Sequence, residues 1–136
     1  MPLALLDTDT LSEVIKGRNA AVAARAAHYL VQYGSFTFSL ITRFEILRGL
    51  KAKHATAQLA SFEARCRVSS VLPITDPIIV RAADYYADLK RRGALIGDAD
   101  LIIAATATIH GLVLVTTNTA HYARIPGLVL DRWTQP

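Results

Sequence analysis

Four side chains carry oxygen donors at places where a fold could gather them. Asp7 closes the apolar run Leu3-Ala4-Leu5-Leu6, Glu45 lies in Thr42-Arg43-Phe44-Glu45-Ile46-Leu47-Arg48-Gly49, Asp100 opens Asp100-Leu101-Ile102-Ile103-Ala104-Ala105-Thr106-Ala107, and Asn118 follows Leu112-Val113-Leu114-Val115-Thr116-Thr117. Carboxylate and amide oxygens are ligands for hard cations. An apolar run of four or so residues reads as a buried strand, and in open α/β sheets sites form just beyond the carboxyl ends of strands, where strand order reverses. Asp7 and Asn118 both fall at such ends. Asp100 stands at the front of a strongly apolar stretch, where an acid is costly unless it is paired or bound to metal.

Each of these residues also has a local reading. Thr42-x-x-Glu45 is a capping box, in which the glutamate serves its own helix. Gly49 lies four residues on, on Glu45's face, where a missing side chain lets another backbone or a substrate come close. Asp98 is two residues from Asp100, about 200° round a helix, and its local role is the helix N-cap. Asn118 also suits an ordinary turn.

The elements that must position these residues alternate between strand and helix. After the strand ending at Asp7, the sequence predicts a helix over Thr8–Lys16 stopped at Gly17, and an Ala-rich helix capped by Asn19 and ended by Gly34. A strand over 36–40 leads to a helix over 42–50, and a basic helical segment continues to about Cys66. A strand over 68–74 comes next, then a helix with Asp76 at the N-cap and Pro77 at N1, running to Arg92 before Gly93. A helix over 98–109, a strand over 112–115 and a short strand over 128–130 complete the chain. This alternation predicts a three-layer α/β/α sandwich around a central, mostly parallel sheet.

Composition narrows the class. With 136 residues, 52% hydrophobic and 19% charged, the chain reads as one folded domain over 1–136 rather than a disordered segment. Cys66 has no second cysteine to pair with, which fits a reducing compartment and excludes thiolate zinc cages. Met1 to Leu6 is too short for a signal peptide, so a cytoplasmic location is expected. From Leu101 to Ala123 there is no Asp, Glu, Lys or Arg, but helical spacing gives way to a β-branched run at Gly111. The stretch is read as a buried helix and a buried strand, with no membrane role.

The formal net charge is +4 and the pI near 9.5, a mild preference for a polyanionic partner. Arg43, Arg48, Lys51, Lys53, Arg65 and Arg67 face only Glu45 and Glu63 in that segment, and Lys90-Arg91-Arg92 forms a second cluster. Solvated helix faces would look the same.

Taken together, Leu5-Leu6-Asp7-Thr8, Thr42-x-x-Glu45-Ile46-x-x-Gly49, Asp100-Leu101-Ile102-Ile103-Ala104-Ala105-Thr106-Ala107, Val115-Thr116-Thr117-Asn118 and Arg124-Ile125-Pro126-Gly127-Leu128 resemble, in order and over essentially the whole chain, a PIN-domain ribonuclease. The nearest branch is the VapC-type toxins of toxin–antitoxin pairs. The resemblance implies a PIN-like α/β/α fold and an endoribonuclease that hydrolyses RNA phosphodiester bonds with Mg²⁺ or Mn²⁺. It makes Asp7, Glu45 and Asp100 the catalytic, metal-binding acids, with Asn118 at a position that is acidic in many relatives and Asp98 as a further candidate ligand. His121 stands where relatives often have another acid. Arg43 and Arg48 become candidate phosphate contacts from their place on Glu45's helix. An RNA substrate, a cognate antitoxin and a homodimer are the implied partners.

Two other readings differ in their chemistry. Asp7-Thr8-Asp9-Thr10 resembles the start of the Asp-x-Asp-x-Thr signature of haloacid-dehalogenase-like phosphatases, with Asp7 as nucleophile and Asp9 as general acid. The signature threonine would fall at position 11, which is Leu11. A non-catalytic RNA-binding or interaction domain would use its acids structurally, although a binder of polyanions gains nothing by gathering carboxylates.

Overall fold

Alternating side chains along β1 (Ala4–Leu6) divide the interior into two cores, one on each face of a sheet. Leu5 points to one face, where it packs with Ile78, Ala82, Leu89, Leu101, Ala104, Ala105 and Leu114. Ala4 and Leu6 point to the other, among Leu11, Val22, Tyr29, Phe36, Phe38, Phe62 and Trp133. The computed structural model describes residues 1–135; the last position of the expected domain, Pro136, lies outside the described residues.

The sheet comprises β1, β2 (Thr37–Ser39), β3 (Ser70–Leu72), β4 (Val113–Val115) and β5 (Leu130–Asp131) in the order β3-β2-β1-β4-β5. Every pairing is parallel, with Leu6 opposite Phe38 on one side and opposite Val115 on the other. The chain leaves β1 toward β2 and later returns to β1's other side as β4. Strand order therefore reverses at β1, the place where open α/β sheets form their crevice.

Helices α1 (Thr8–Lys16), α2 (Ala20–Tyr33), α3 (Leu40–Ala52) and α4 (Thr56–Arg67) supply residues to the core on one face. Helices α5 (Asp76–Arg91) and α6 (Asp98–His110), with the single turn α7 (Thr119–Tyr122), supply the other. The expected three-layer sandwich is the observed fold, with the sheet wholly parallel.

Several boundaries differ from expectation, each for a local reason. Helix α3 starts two residues early because the Ser39 hydroxyl accepts the Ile41 N–H and caps it. Thr42 is therefore inside the helix and the Thr42/Glu45 capping box does not form. The expected continuous segment to Cys66 breaks between α3 and α4, where His54 adopts a left-handed φ of 53°. Thr75, not Asp76, is the N-cap residue of α5, and Gly97, not Asp98, that of α6. The second and third strands are shorter than their apolar runs, and β5 lies two residues later at its start than expected, set by pairing with Leu114 and Val115.

Candidate active site

The backbone of Asp7 continues the sheet one step past β1, its N–H donating to the Val115 carbonyl at 3.0 Å. The same residue caps α1. Its Oδ1 accepts the Thr10 N–H at 2.8 Å, and its Oδ2 accepts the Thr116 hydroxyl at 2.6 Å. Only 4% of Asp7 is exposed, and burial pushes its carboxyl above the ordinary aspartate range while the Thr116 and Thr10 hydrogen bonds pull it back. Desolvation of a buried carboxylate is relieved either by protonation or by a cation placed beside it.

Asp100 reaches the same crevice from α6, where its place in the first turn favours an anion. Ala104 and Ala107 are fully buried, so the helix lies close to the sheet and the acid projects at its end. Asp100 Oδ1 accepts the Tyr122 hydroxyl at 3.1 Å, and Oδ2 lies 3.0 Å from His121 Nε2. The Tyr122 phenol is buried, and its pKa is pushed far up, first by burial and then by the charges of Asp100, Asp7 and Asp9. Those carboxylates thus concentrate negative potential around one hydroxyl. Among the described residues no Lys or Arg forms an ion pair with Asp7 or Asp100.

Glu45 stands on the opposite flank of β1. Its Oε1 is 2.7 Å from the Thr8 hydroxyl, which is itself 3.1 Å from that of Thr42, and its Oε2 lies 3.5 Å from Arg48. Thr8 directly follows Asp7, so a single residue links the two acids. Arg48 is 61% exposed at its side chain and stacks over Phe44 at 5.2 Å. Arg43, two positions from Glu45 and so far round the helix, donates to Glu63 at 2.6 and 3.2 Å instead. That bidentate pair raises the Arg43 pKa and lowers that of Glu63.

The remaining candidates are peripheral. Asp98 is exposed in the first turn of α6, turned about 200° from Asp100 because both belong to the same helix. Asn118 is exposed beyond β4; its N–H donates to the Thr116 hydroxyl at 2.9 Å, and its side chain makes no cap to α7.

Among the described residues, no three His, Cys, Asp or Glu side chains form a ready-made metal cage. The donor set nevertheless suits Mg²⁺ or Mn²⁺. Mg²⁺ is usually held by one or two carboxylates and completes its shell with waters and substrate phosphates. Asp7 and Asp100 are two hard carboxylates without a Lys or Arg partner among the described residues, Asp100 having His121 Nε2 at 3.0 Å. Sequence reasoning missed the residues that hold the acids: Thr116 on Asp7, Tyr122 on Asp100 and Thr8 on Glu45. Thr8 and Thr116 carried a signal, each being the first or second polar residue after a buried strand; Tyr122 follows no strand end and carried none.

The chain belongs to the PIN domain family, whose family model matches residues 4–128, in keeping with its parallel sheet and the strand-order reversal at β1. Within it, the chain is 33% identical over 121 residues to Ribonuclease VapC1 of Methanocaldococcus jannaschii, covering 89% of this chain and 79% of that one. It is 29% identical over 131 residues to the tRNA(fMet)-specific endonuclease VapC of Shigella flexneri, covering 96% and 97%. The solved structure of DNA-bound VapBC from Salmonella typhimurium superposes with a TM-score of 0.85 at 29% identity, covering 98% of this chain and 99% of that one.

Proposed function

We infer that this chain is a metal-dependent endoribonuclease that hydrolyses RNA phosphodiester bonds, and that it is the toxin of a toxin–antitoxin pair. The observation that supports the reading is that Asp7, at the strand-order reversal of a PIN domain, and Asp100, at the start of α6, are both held by hydrogen bonds and have no Lys or Arg partner among the described residues. Relatives named as VapC ribonucleases and a VapBC structural neighbour support the same assignment. Residues 1–136 act as one nuclease domain in the cytoplasm, as a homodimer silenced by a cognate antitoxin. Among the described residues no helix is long and apolar enough to cross a membrane.

Asp7 and Asp100 would hold Mg²⁺ or Mn²⁺, with Glu45 and then Asn118 reaching toward the same site and Asp98 the most remote. A bound ion of this kind lowers the pKa of a water and offsets the charge that builds on a phosphate during in-line attack. The protein's part is placement. Thr116 and the Thr10 N–H fix both oxygens of Asp7, while Tyr122 and His121 fix those of Asp100. Thr8 holds Glu45, and Arg48 sets a positive charge beside it at the rim, within reach of a substrate phosphate. Arg43, engaged with Glu63, anchors α3 to α4.

The test is cleavage of a total RNA pool by purified, antitoxin-free protein with Mg²⁺, with Mn²⁺ and with EDTA, beside an Asp100→Asn variant. Cutting that needs metal and disappears in the variant is the expected result. Equal cutting by the variant, or none by the folded wild type under any metal, overturns the mechanism. No observation favours the phosphatase: its general acid would be Asp9, which is exposed on α1 and whose side chain makes no hydrogen bond among the described residues.

A further inference from the structure

A groove with a volume of about 520 Å³ opens beside Glu45 and runs away from the acids between α1, α3 and α4. One wall is the α1 face of Thr8, Ser12, Ile15 and Lys16, and the facing wall is Glu45, Ile46, Gly49 and Leu50 of α3 with its C-cap Lys53. Its size is within the ~300–1,000 Å³ usual for ligand pockets. Helical rise puts Lys53 about 12 Å from Glu45, so the groove has an acidic mouth and a basic far end.

Three features show that this chain does not fill or satisfy the groove itself. Lys16, Arg18 and Lys53 line it, are exposed, and form no ion pair among the described residues. Ser12, Gln58 and Ser61 line it with side chains that likewise make no hydrogen bond there. Gly49 sits in the middle of α3, where glycine costs about 1 kcal/mol relative to alanine, yet a Cβ there would meet nothing within 4 Å. The missing side chain accommodates no neighbour of this chain. It leaves the groove open to something else.

We propose that the groove binds a segment of single-stranded RNA leading away from the cleavage site, its phosphates on Lys16, Arg18 and Lys53. The inference rests on the nuclease reading for its location and adds a subsite to it. Charge selects the occupant. Three uncompensated cations at one end suit a phosphate backbone, the free hydroxyl and amide groups suit sugar and base edges, and Ile15, Ile46 and Leu50 offer an apolar floor. No aromatic side chain lines the groove, so bases are not held by stacking and the subsite discriminates little by sequence.

The experiment measures anisotropy of a labelled single-stranded RNA of about 12 nucleotides, in EDTA so that nothing is cut, across a salt series. The groove variant is Lys16→Glu/Arg18→Glu/Lys53→Glu. A control of equal net charge, Arg67→Glu/Lys90→Glu/Arg91→Glu, reverses exposed cations at the ends of α4 and α5 that do not line the groove. Gly49→Leu, verified as folded by circular dichroism, obstructs the groove with no change in charge.

The groove variant is expected to lose about tenfold or more in affinity and to flatten the slope of log K against log[salt] by up to about 2, roughly 0.7 for each lost contact. Gly49→Leu is expected to weaken binding with the slope kept, and the control to change far less than the groove variant. Wild-type affinity and slope in the groove variant, or a loss no greater than the control's, overturn the proposal. So does unchanged RNA binding with loss of a labelled acidic peptide, which would assign the groove to a protein segment. Metal-dependent cleavage by wild type is assayed in parallel. Cleavage with an indifferent groove variant refutes only the subsite, whereas groove-dependent binding without any cleavage refutes the nuclease reading and leaves the subsite standing.

Discussion

On the α6 side of β1's carboxyl end, each of the four carboxylate oxygens of Asp7 and Asp100 has a hydrogen-bonding partner from this chain. On the α3 side, Glu45 opens onto a groove in which the side chains of Lys16, Arg18, Lys53, Ser12, Gln58 and Ser61 have no partner among the described residues. The first flank is closed and anionic, the second open and cationic. In the proposed function, carboxylates without a Lys or Arg partner among the described residues would hold the metal ion, and the cations on the other flank would meet the polyanion on which it acts. Neither flank alone would define a nuclease.

The strongest way to break this contrast is to neutralise the closed flank. Asp100→Asn and Asp7→Asn are each expected to reduce cleavage by about 100-fold or more, read on a labelled RNA under saturating Mn²⁺. The two should differ in stability. The Asp7 carboxyl titrates above its unfolded value, so its contribution to stability is full below the unfolded pKa and is lost as pH rises through the folded one. At neutral pH its charge is therefore a cost. Asparagine keeps the cap to Thr10, so Asp7→Asn in EDTA at neutral pH is expected to melt no lower than wild type, and a clear fall in Tm would show that burial is not what raises that carboxyl.

Loosening the acids without removing them sharpens the comparison. Tyr122→Phe deletes the hydroxyl on Asp100 Oδ1 and is expected to lower activity by about tenfold, with an increase in the Mn²⁺ concentration needed for half-maximal rate. An unchanged metal requirement would leave Tyr122 as core packing only. Asp9→Asn, by contrast, is expected to leave cleavage near wild type; loss of all activity would revive the phosphatase reading of Asp7-Thr8-Asp9-Thr10.

The smallest effect lies on the open flank. Gly49→Ala adds a methyl that meets nothing within 4 Å, in the middle of a helix. Denaturant unfolding is expected to show a gain of about 0.5–1 kcal/mol. A loss would mean that α3 packs more tightly at Gly49 than the structure has it.

Much of this architecture is local enough to be legible in the chain. Asp7 follows an apolar run and is the N-cap residue of α1; Gly17, Asn19 and Gly34 bound their helices; the apolar stretch from Leu101 places Asp100 at a helix start. Propensity and period act over a few residues, and these positions are decided over that range. Capping was harder, because Ser39 and Thr42 are both good N-caps three residues apart and only the end of β2 selects Ser39.

The tertiary structure alone decided which partners hold the acids. Pairing of β1 with β4 joins residues more than 100 positions apart, and it is this pairing that brings Thr116 to Asp7. No local period encodes a strand order. The same is true of Tyr122 on Asp100, of Thr8 on Glu45 and of the groove between α1 and α3, since each contact depends on how layers pack after their elements have formed. The sequence determined the oxygen donors and the elements that carry them, because both are written in neighbouring residues; the closed anionic flank and the open cationic one exist only once the sheet has been ordered.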